Sequence, residues 1–187
     1  MRQQDALRRW AVLAVALLVL AACAARPPAF REAGPASLRP GQPVPTPSGP
    51  VVLTLHGLVG CTNQGDRLDF DLATLERLGL ISYVVDDPEL KRPIAYTGVL
   101  LERVLDAACI PAEATTLYAT ALNDYKVTIP RSVVRWPVMI ATLREGKRMP
   151  VADKGPLEIV FPTRAAVFDP VVYNPMWVWQ LRSIEVS

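Results

Sequence analysis

The chain carries one histidine in 187 residues, His56, and that scarcity removes most of the chemistry open to a small domain. Any serine-hydrolase triad would have to use it, and none of Ser48, Ser82, Ser132 or Ser183 sits in a G-x-S-x-G turn. At the end of an apolar stretch, His56 reads as a packed residue. Cysteine is almost as scarce, with three in the chain, no C-x-x-C and no Cys/His ligand spacing, so no zinc site is expected. The acidic residues Asp66, Asp69 and Asp71 lack the glycine and distal glutamate of a calcium loop; with Asp86 and Asp87 they read as solvation and helix capping. No catalytic residue and no metal ligand is accordingly expected. Charge of one sign is not in excess either. Lys and Arg number 20 against 18 Asp and Glu, which argues against nucleic acid as a partner. The densest basic stretch, residues 131–154, reads as the solvated edge of a hairpin. No internal repeat is present.

What is there begins with a leader. Arg2, Arg8 and Arg9 precede the unbroken apolar run of residues 10–20, too short for a hydrocarbon core that takes about 20 residues. Small residues then lead to a cysteine. Leu20-Ala21-Ala22-Cys23 resembles the lipobox of bacterial lipoproteins, which implies lipidation of Cys23, cleavage after Ala22 and attachment to a membrane through several acyl chains. Removing residues 1–22 leaves 17 charges of each sign, so the basic balance of the full chain belongs to the leader. Ala24 lacks the aspartate that resembles an inner-membrane retention signal. The expectation is a cell-envelope protein facing the periplasm, on the outer membrane in a two-membrane cell.

Residues 23–50 follow as a proline-rich tether: eight of the chain's 18 prolines lie there, a composition that favours an extended spacer. Residues 51–187 then form one domain of ordinary size. Its two cysteines, Cys61 and Cys109, suit either a disulfide outside the cytoplasm or, for Cys109, a buried free thiol at the end of an apolar helical face.

Within the domain, residues 51–56 read as a strand. Asp71 precedes Leu72, Leu75 and Leu78 as the cap of a short helix. Residues 80–85 form a second strand and residues 86–93 a polar surface loop. A helix is expected over residues 98–108, where Leu100, Leu101, Val104, Leu105 and Ala108 make one apolar stripe. Strands follow at 115–122, 125–129, 136–143, 157–161 and 177–186, with Asn123-Asp124 and Glu145-Gly146-Lys147 as tight turns. This is an α+β domain of mostly mixed and antiparallel strands with a few short helices.

Several fragments, in order, resemble the molybdopterin-binding domain of the sulfite oxidase family: Gly98-Val99-Leu100-Leu101, Leu117-Tyr118-Ala119-Thr120-Ala121, Asn123-Asp124-Tyr125, Lys154-Gly155-Pro156-Leu157, and Trp179-Gln180-Leu181 before Ile184-Glu185-Val186. The resemblance spans residues 51–186. It implies the sulfite-oxidase-like fold and, in the family, a molybdenum held by a pterin dithiolene and one cysteine between a strand and a glycine that opens a helix. Here the matching interval, from residue 86 to Gly98, holds Asp86, Asp87, Glu89, Lys91, Arg92 and prolines, and no cysteine. Carboxylates do not replace a thiolate on a redox metal. The leader lacks most of a twin-arginine pattern, and export unfolded would leave a cytoplasmically loaded cofactor behind.

The resemblance places Asn123, Asp124 and Tyr125 toward the cofactor-facing region as ligand contacts; Trp136, Tyr173, Trp177 and Trp179 are available for an aromatic wall, with Trp179 a further ligand-contact candidate. The expected role is a non-catalytic one, sensory or accessory, binding a small ligand or an envelope protein, with no cofactor. The alternatives are an active molybdopterin-dependent oxidoreductase with atypical ligation and a structural envelope protein.

Overall fold

A computed structural model describes residues 30–165 and 168–187. Cys23, the leader and the start of the tether lie outside these residues. In chain order the elements are β1 (Arg31–Gly34), β2 (Val51–Gly57), β3 (Leu68–Asp71), α1 (Leu72–Glu76), β4 (Leu80–Asp86), β5 (Pro93–Leu100) and α2 (Leu101–Ala107). There follow β6 (Thr116–Ala121), β7 (Lys126–Pro130), β8 (Met139–Arg144), β9 (Lys147–Arg148), β10 (Glu158–Val160), α3 (Pro170–Tyr173), β11 (Val178–Trp179) and β12 (Leu181–Val186). The α+β expectation holds. None of the described helices is long and apolar enough to cross a membrane.

The strands form two sheets. One runs β1-β4-β5-β8-β10-β11, with β9 on β8, and all its pairs are antiparallel. The other runs β3-β2-β12-β6-β7, antiparallel except for β2 with β12. Alternation decides which side chains go inside: Leu53 and Leu55 of β2 and Leu117, Ala119 and Ala121 of β6 are buried while their neighbours are not. One contiguous core takes side chains from both sheets and from one face of α2.

Asp71 caps α1 as its spacing predicts, its carboxylate accepting from Thr74 N at 2.8 Å. The helix expected from Gly98 begins only at Leu101, and Gly98 lies inside β5. A Cβ at Gly98 would stand 2.2 Å from Ile140 O and 2.5 Å from the Ala141 Cα. The glycine therefore lets β5 and β8 approach where their register shifts; it does not open a helix. The helical stripe misled because Val99 and Leu100 are buried in the strand as well.

Three further segments differ from the sequence expectation. The tether does not stand clear of the domain after Arg31: β1 pairs with β4, Leu38 and Val44 are buried, and the Ser48 and Gly49 N–H groups donate to Asp71. Proline-rich composition excludes a core of its own, yet it leaves apolar side chains free to cover a neighbour's. The strand expected over residues 177–186 breaks at Gln180, where φ is 53°. Residues 136–143 begin their strand only at Met139, after a 3-10 turn over Arg131–Arg135 and Pro137. In the basic stretch, Arg148 is an exposed ion partner of Glu76, whereas the Arg144 side chain is only 12% exposed and pairs with Asp153.

Candidate functional site

The break at Gln180 builds the site. There the chain leaves β11 in one sheet and enters β12 in the other. Gln180 N donates to Lys154 O at 2.9 Å, its side-chain Nε2 donates to Val151 O at 2.8 Å, and Leu122 N donates to Gln180 O at 2.9 Å. Three segments thus converge on one residue: the β6–β7 turn, the turn after β9, and the run from Asn174 to Gln180. A cleft of about 530 Å³ opens where they meet, of a size that suits a small molecule.

Three non-glycine residues around this corner hold left-handed backbone: Asp124 (φ 64°), Lys154 (φ 65°) and Gln180 (φ 53°). Such conformations are uncommon without glycine and cluster at binding and catalytic sites. Trp177, Trp179 and Tyr125 give the wall its aromatic surface, and Pro88 and Glu89 close it from the loop between β4 and β5. Lys154 and Glu89 are its charged groups, 3.3 Å apart, with the Lys154 ammonium 3.9 Å above the Trp179 ring centre.

Behind this wall lies a buried acid cluster. Asp87, just before Pro88, accepts from the Tyr96 hydroxyl at 2.7 Å and from the N–H groups of Glu89 and Leu90 at 2.9 and 2.7 Å. The same hydroxyl stands 3.4 Å from Glu158, opposite Trp179 in the β10–β11 ladder, and the Tyr96 ring meets Trp177 edge-on at 6.3 Å. Burial first, and the neighbouring Asp87 charge second, push the Glu158 carboxyl up to about 8. Burial, reinforced by Glu158 and Asp87, also holds the Tyr96 phenol far above its ordinary range.

Of the four residues expected to contact a ligand, the structure brings Asn123, Tyr125 and Trp179 into this cleft. Asp124 is the exception. It supplies the turn's left-handed position and points its carboxylate to Arg182, 2.6 Å away. The four-residue aromatic wall divides: Trp177 and Trp179 face the cleft, while Trp136 and Tyr173 line a small apolar crevice with Phe161 and Phe168. Sequence reasoning passed over Asp87, Tyr96 and Glu158 as site residues. Only the Asp87-Pro88 step carried a signal, since aspartate before proline starts the kind of side-chain-capped turn seen here. Cys61 and Cys109 form a disulfide, with Cα atoms 5.2 Å apart, and neither lines the cleft. His56 is not on its wall either.

Comparison with known proteins identifies the fold. No family model matches the chain, and no curated protein matches it. Among solved structures it is similar to the sulfane dehydrogenase SoxCD from Paracoccus pantotrophus, with a TM-score of 0.55 and 20% identity over 72% of this chain. The match covers 37% of the SoxCD chain, so this protein spans well under half of its length. The domain has the sulfite-oxidase-like molybdopterin-binding fold, with mixed and antiparallel sheets and few short helices.

The residues at the cleft do not fit the metal that this fold implies. The loop after β4 presents Pro88 and Glu89 there, and the two described cysteines are consumed by their own disulfide, leaving no thiolate among the described residues. No group of three or more His, Cys, Asp or Glu among them is disposed to hold a metal ion. A pterin phosphate would meet one lysine, already paired with Glu89, and two carboxyls at Asp87 and Glu158 behind.

Proposed function

We propose that this chain is an extracytoplasmic lipoprotein, anchored through Cys23, whose sulfite-oxidase-like domain binds a small ligand in the corner cleft and performs no molybdenum chemistry. A sensory or accessory role in the envelope follows from that combination. The observation that carries the reading is the loop after β4: it lines the cleft as a molybdenum-ligating loop would, yet offers Pro88 and Glu89 and no sulfur. Aromatic walls, a few convergent polar groups and left-handed backbone at Lys154 and Gln180 support retention of the cleft for binding. The Cys61–Cys109 disulfide supports an oxidising compartment, and the lipobox at residues 20–23 supports the anchor.

Protein purified from its native host tests this directly, with Cys23→Ser prepared beside it. The wild-type chain should sit in the membrane fraction, contain far less than one molybdenum per chain, and turn over neither sulfite nor sulfoxides. Cys23→Ser should leave the membrane fraction. Near-stoichiometric molybdenum with extractable pterin would replace the binding role by an oxidoreductase, and a variant that stays membrane-bound would remove the lipid anchor.

A further inference from the structure

The two charges on the cleft wall are unequally held. Glu89 is half exposed, and exposed ion pairs contribute little. The Lys154 side chain is only 26% exposed; its ammonium rests on Trp179, and its left-handed backbone is fixed by the hydrogen bond from Gln180 N. No other Lys, Arg, Asp or Glu lines the cleft among the described residues. Glu89 therefore occupies the position that an incoming anion would take, and it is easily exchanged.

We infer, building on the ligand-binding reading above, that the cleft takes a flat aromatic carboxylate whose anionic group replaces Glu89 at Lys154 while its ring lies along Trp177, Trp179 and Tyr125. The aromatic wall selects a planar body, since ring-to-ring contact adds to the burial of apolar surface. The single ammonium selects one negative charge. A doubly charged phosphate ester would have to approach Glu89 and Asp87 with only one cation to meet it. Glu158 does not cancel that cation: burial keeps its carboxyl protonated at neutral pH. A neutral ligand of the same shape gains nothing at Lys154, so Glu89 acts as an internal competitor that filters for acids.

The test is titration of the isotope-labelled full chain with 2-naphthoate and with its neutral counterpart 2-naphthamide, followed through the indole N–H resonances of Trp177 and Trp179. Trp136, away from the cleft, reports whether each variant is folded. Naphthoate should shift both cleft resonances. Lys154→Met should weaken it about tenfold, the loss of one charge-assisted contact, and Glu89→Gln should tighten it about threefold by removing the competitor. Naphthamide should bind about tenfold more weakly than naphthoate and ignore both substitutions. Equal binding of acid and amide would overturn the acid specificity while leaving a ligand-binding cleft. Unchanged or weakened naphthoate binding in Glu89→Gln would overturn the competitor role. Silence of both resonances at millimolar concentrations of either probe would overturn this inference and the ligand-binding reading together.

Discussion

Two buried carboxyl groups in this molecule, Asp71 and Glu158, each sit in a cluster of acids, yet their surroundings push them in opposite directions. Around α1, each oxygen of Asp71 has its own donors: Thr74 N on one, Ser48 N and Gly49 N on the other. Its neighbour Asp69 accepts from Thr54 Oγ1 at 2.6 Å and Arg67 Nε at 3.0 Å. Behind the cleft, Asp87 accepts from Glu89 N, Leu90 N and the Tyr96 hydroxyl, and Glu158 has only that same hydroxyl, 3.4 Å away. Hydrogen bonds from Thr74, then from Gly49 and Ser48, outweigh burial and hold Asp71 well below the usual carboxylate range. Burial outweighs everything at Glu158 and lifts it to about 8. Donors decide the outcome at Asp71, and burial decides it at Glu158. The first cluster fastens residues 48–49 to β3 and α1; the second leaves one poorly served carboxyl, Glu158, under the wall of a cleft. Folds concentrate such costs where a site is kept.

Glu158 carries the largest effect that separates the clusters. Its folded value lies above its ordinary one, so the folded state holds the proton longer than the unfolded chain. Stability is therefore full below about pH 4.5, falls as pH rises, and has lost this contribution above about pH 8. At about 1.4 kcal/mol per unit, the span reaches up to about 5 kcal/mol. Urea unfolding of wild type and Glu158→Gln from pH 5 to 9 reads it. The glutamine variant should lack the slope and be the more stable protein at pH 9. Parallel profiles would mean that the two clusters do not differ as argued.

Asp71 should respond with the reverse sign. Its stabilisation is present above the ordinary carboxylate range and is lost as pH falls through its depressed folded value. Asp71→Ala removes a helix cap and leaves the Ser48 and Gly49 donors unpaired, at a cost of about 3 kcal/mol at pH 7. The gap between wild type and variant should narrow on acidification below pH 4. A gap independent of pH would assign the loss to packing.

The contrast also explains what the sequence made legible. Asp71 was readable because capping is local: the residue, its spacing from Leu72 and Leu75 and its donor at Thr74 lie within one turn. The same locality made the β6–β7 turn readable, and with it Asn123 and Tyr125. Asp87, Tyr96 and Glu158 come from three separate segments that only sheet pairing brings together, so no window of sequence contains the cluster. Gly98 misled for a related reason. Its role is a close approach to Ile140 and Ala141, some forty residues away, and a local apolar stripe imitated a helix start. The break at Gln180 has no local signal, because a glutamine with positive φ is imposed by hydrogen bonds to Lys154, Val151 and Leu122.

The smallest effect on stability belongs to the cleft's rim, and it divides a site from a turn. Asn123 and Tyr125 are exposed, and the turn that carries them is closed by backbone bonds, Asp124 N to Ala121 O at 3.1 Å and Ala121 N to Tyr125 O at 2.9 Å. The one turn contact made by their side chains is Asn123 Oδ1 accepting from Tyr125 N at 3.2 Å. Asn123→Ala and Tyr125→Ala should therefore each cost no more than about 0.5 kcal/mol, the usual scale for exposed positions and well below Asp71→Ala. Their effect on ligand affinity should be larger, about fivefold for the tyrosine if it supplies part of the aromatic wall. Thermal unfolding and a binding titration on the same preparations compare the two quantities. Loss of affinity with stability intact marks the rim as part of a binding site, whereas equal losses in both would reduce the pair to formers of a turn.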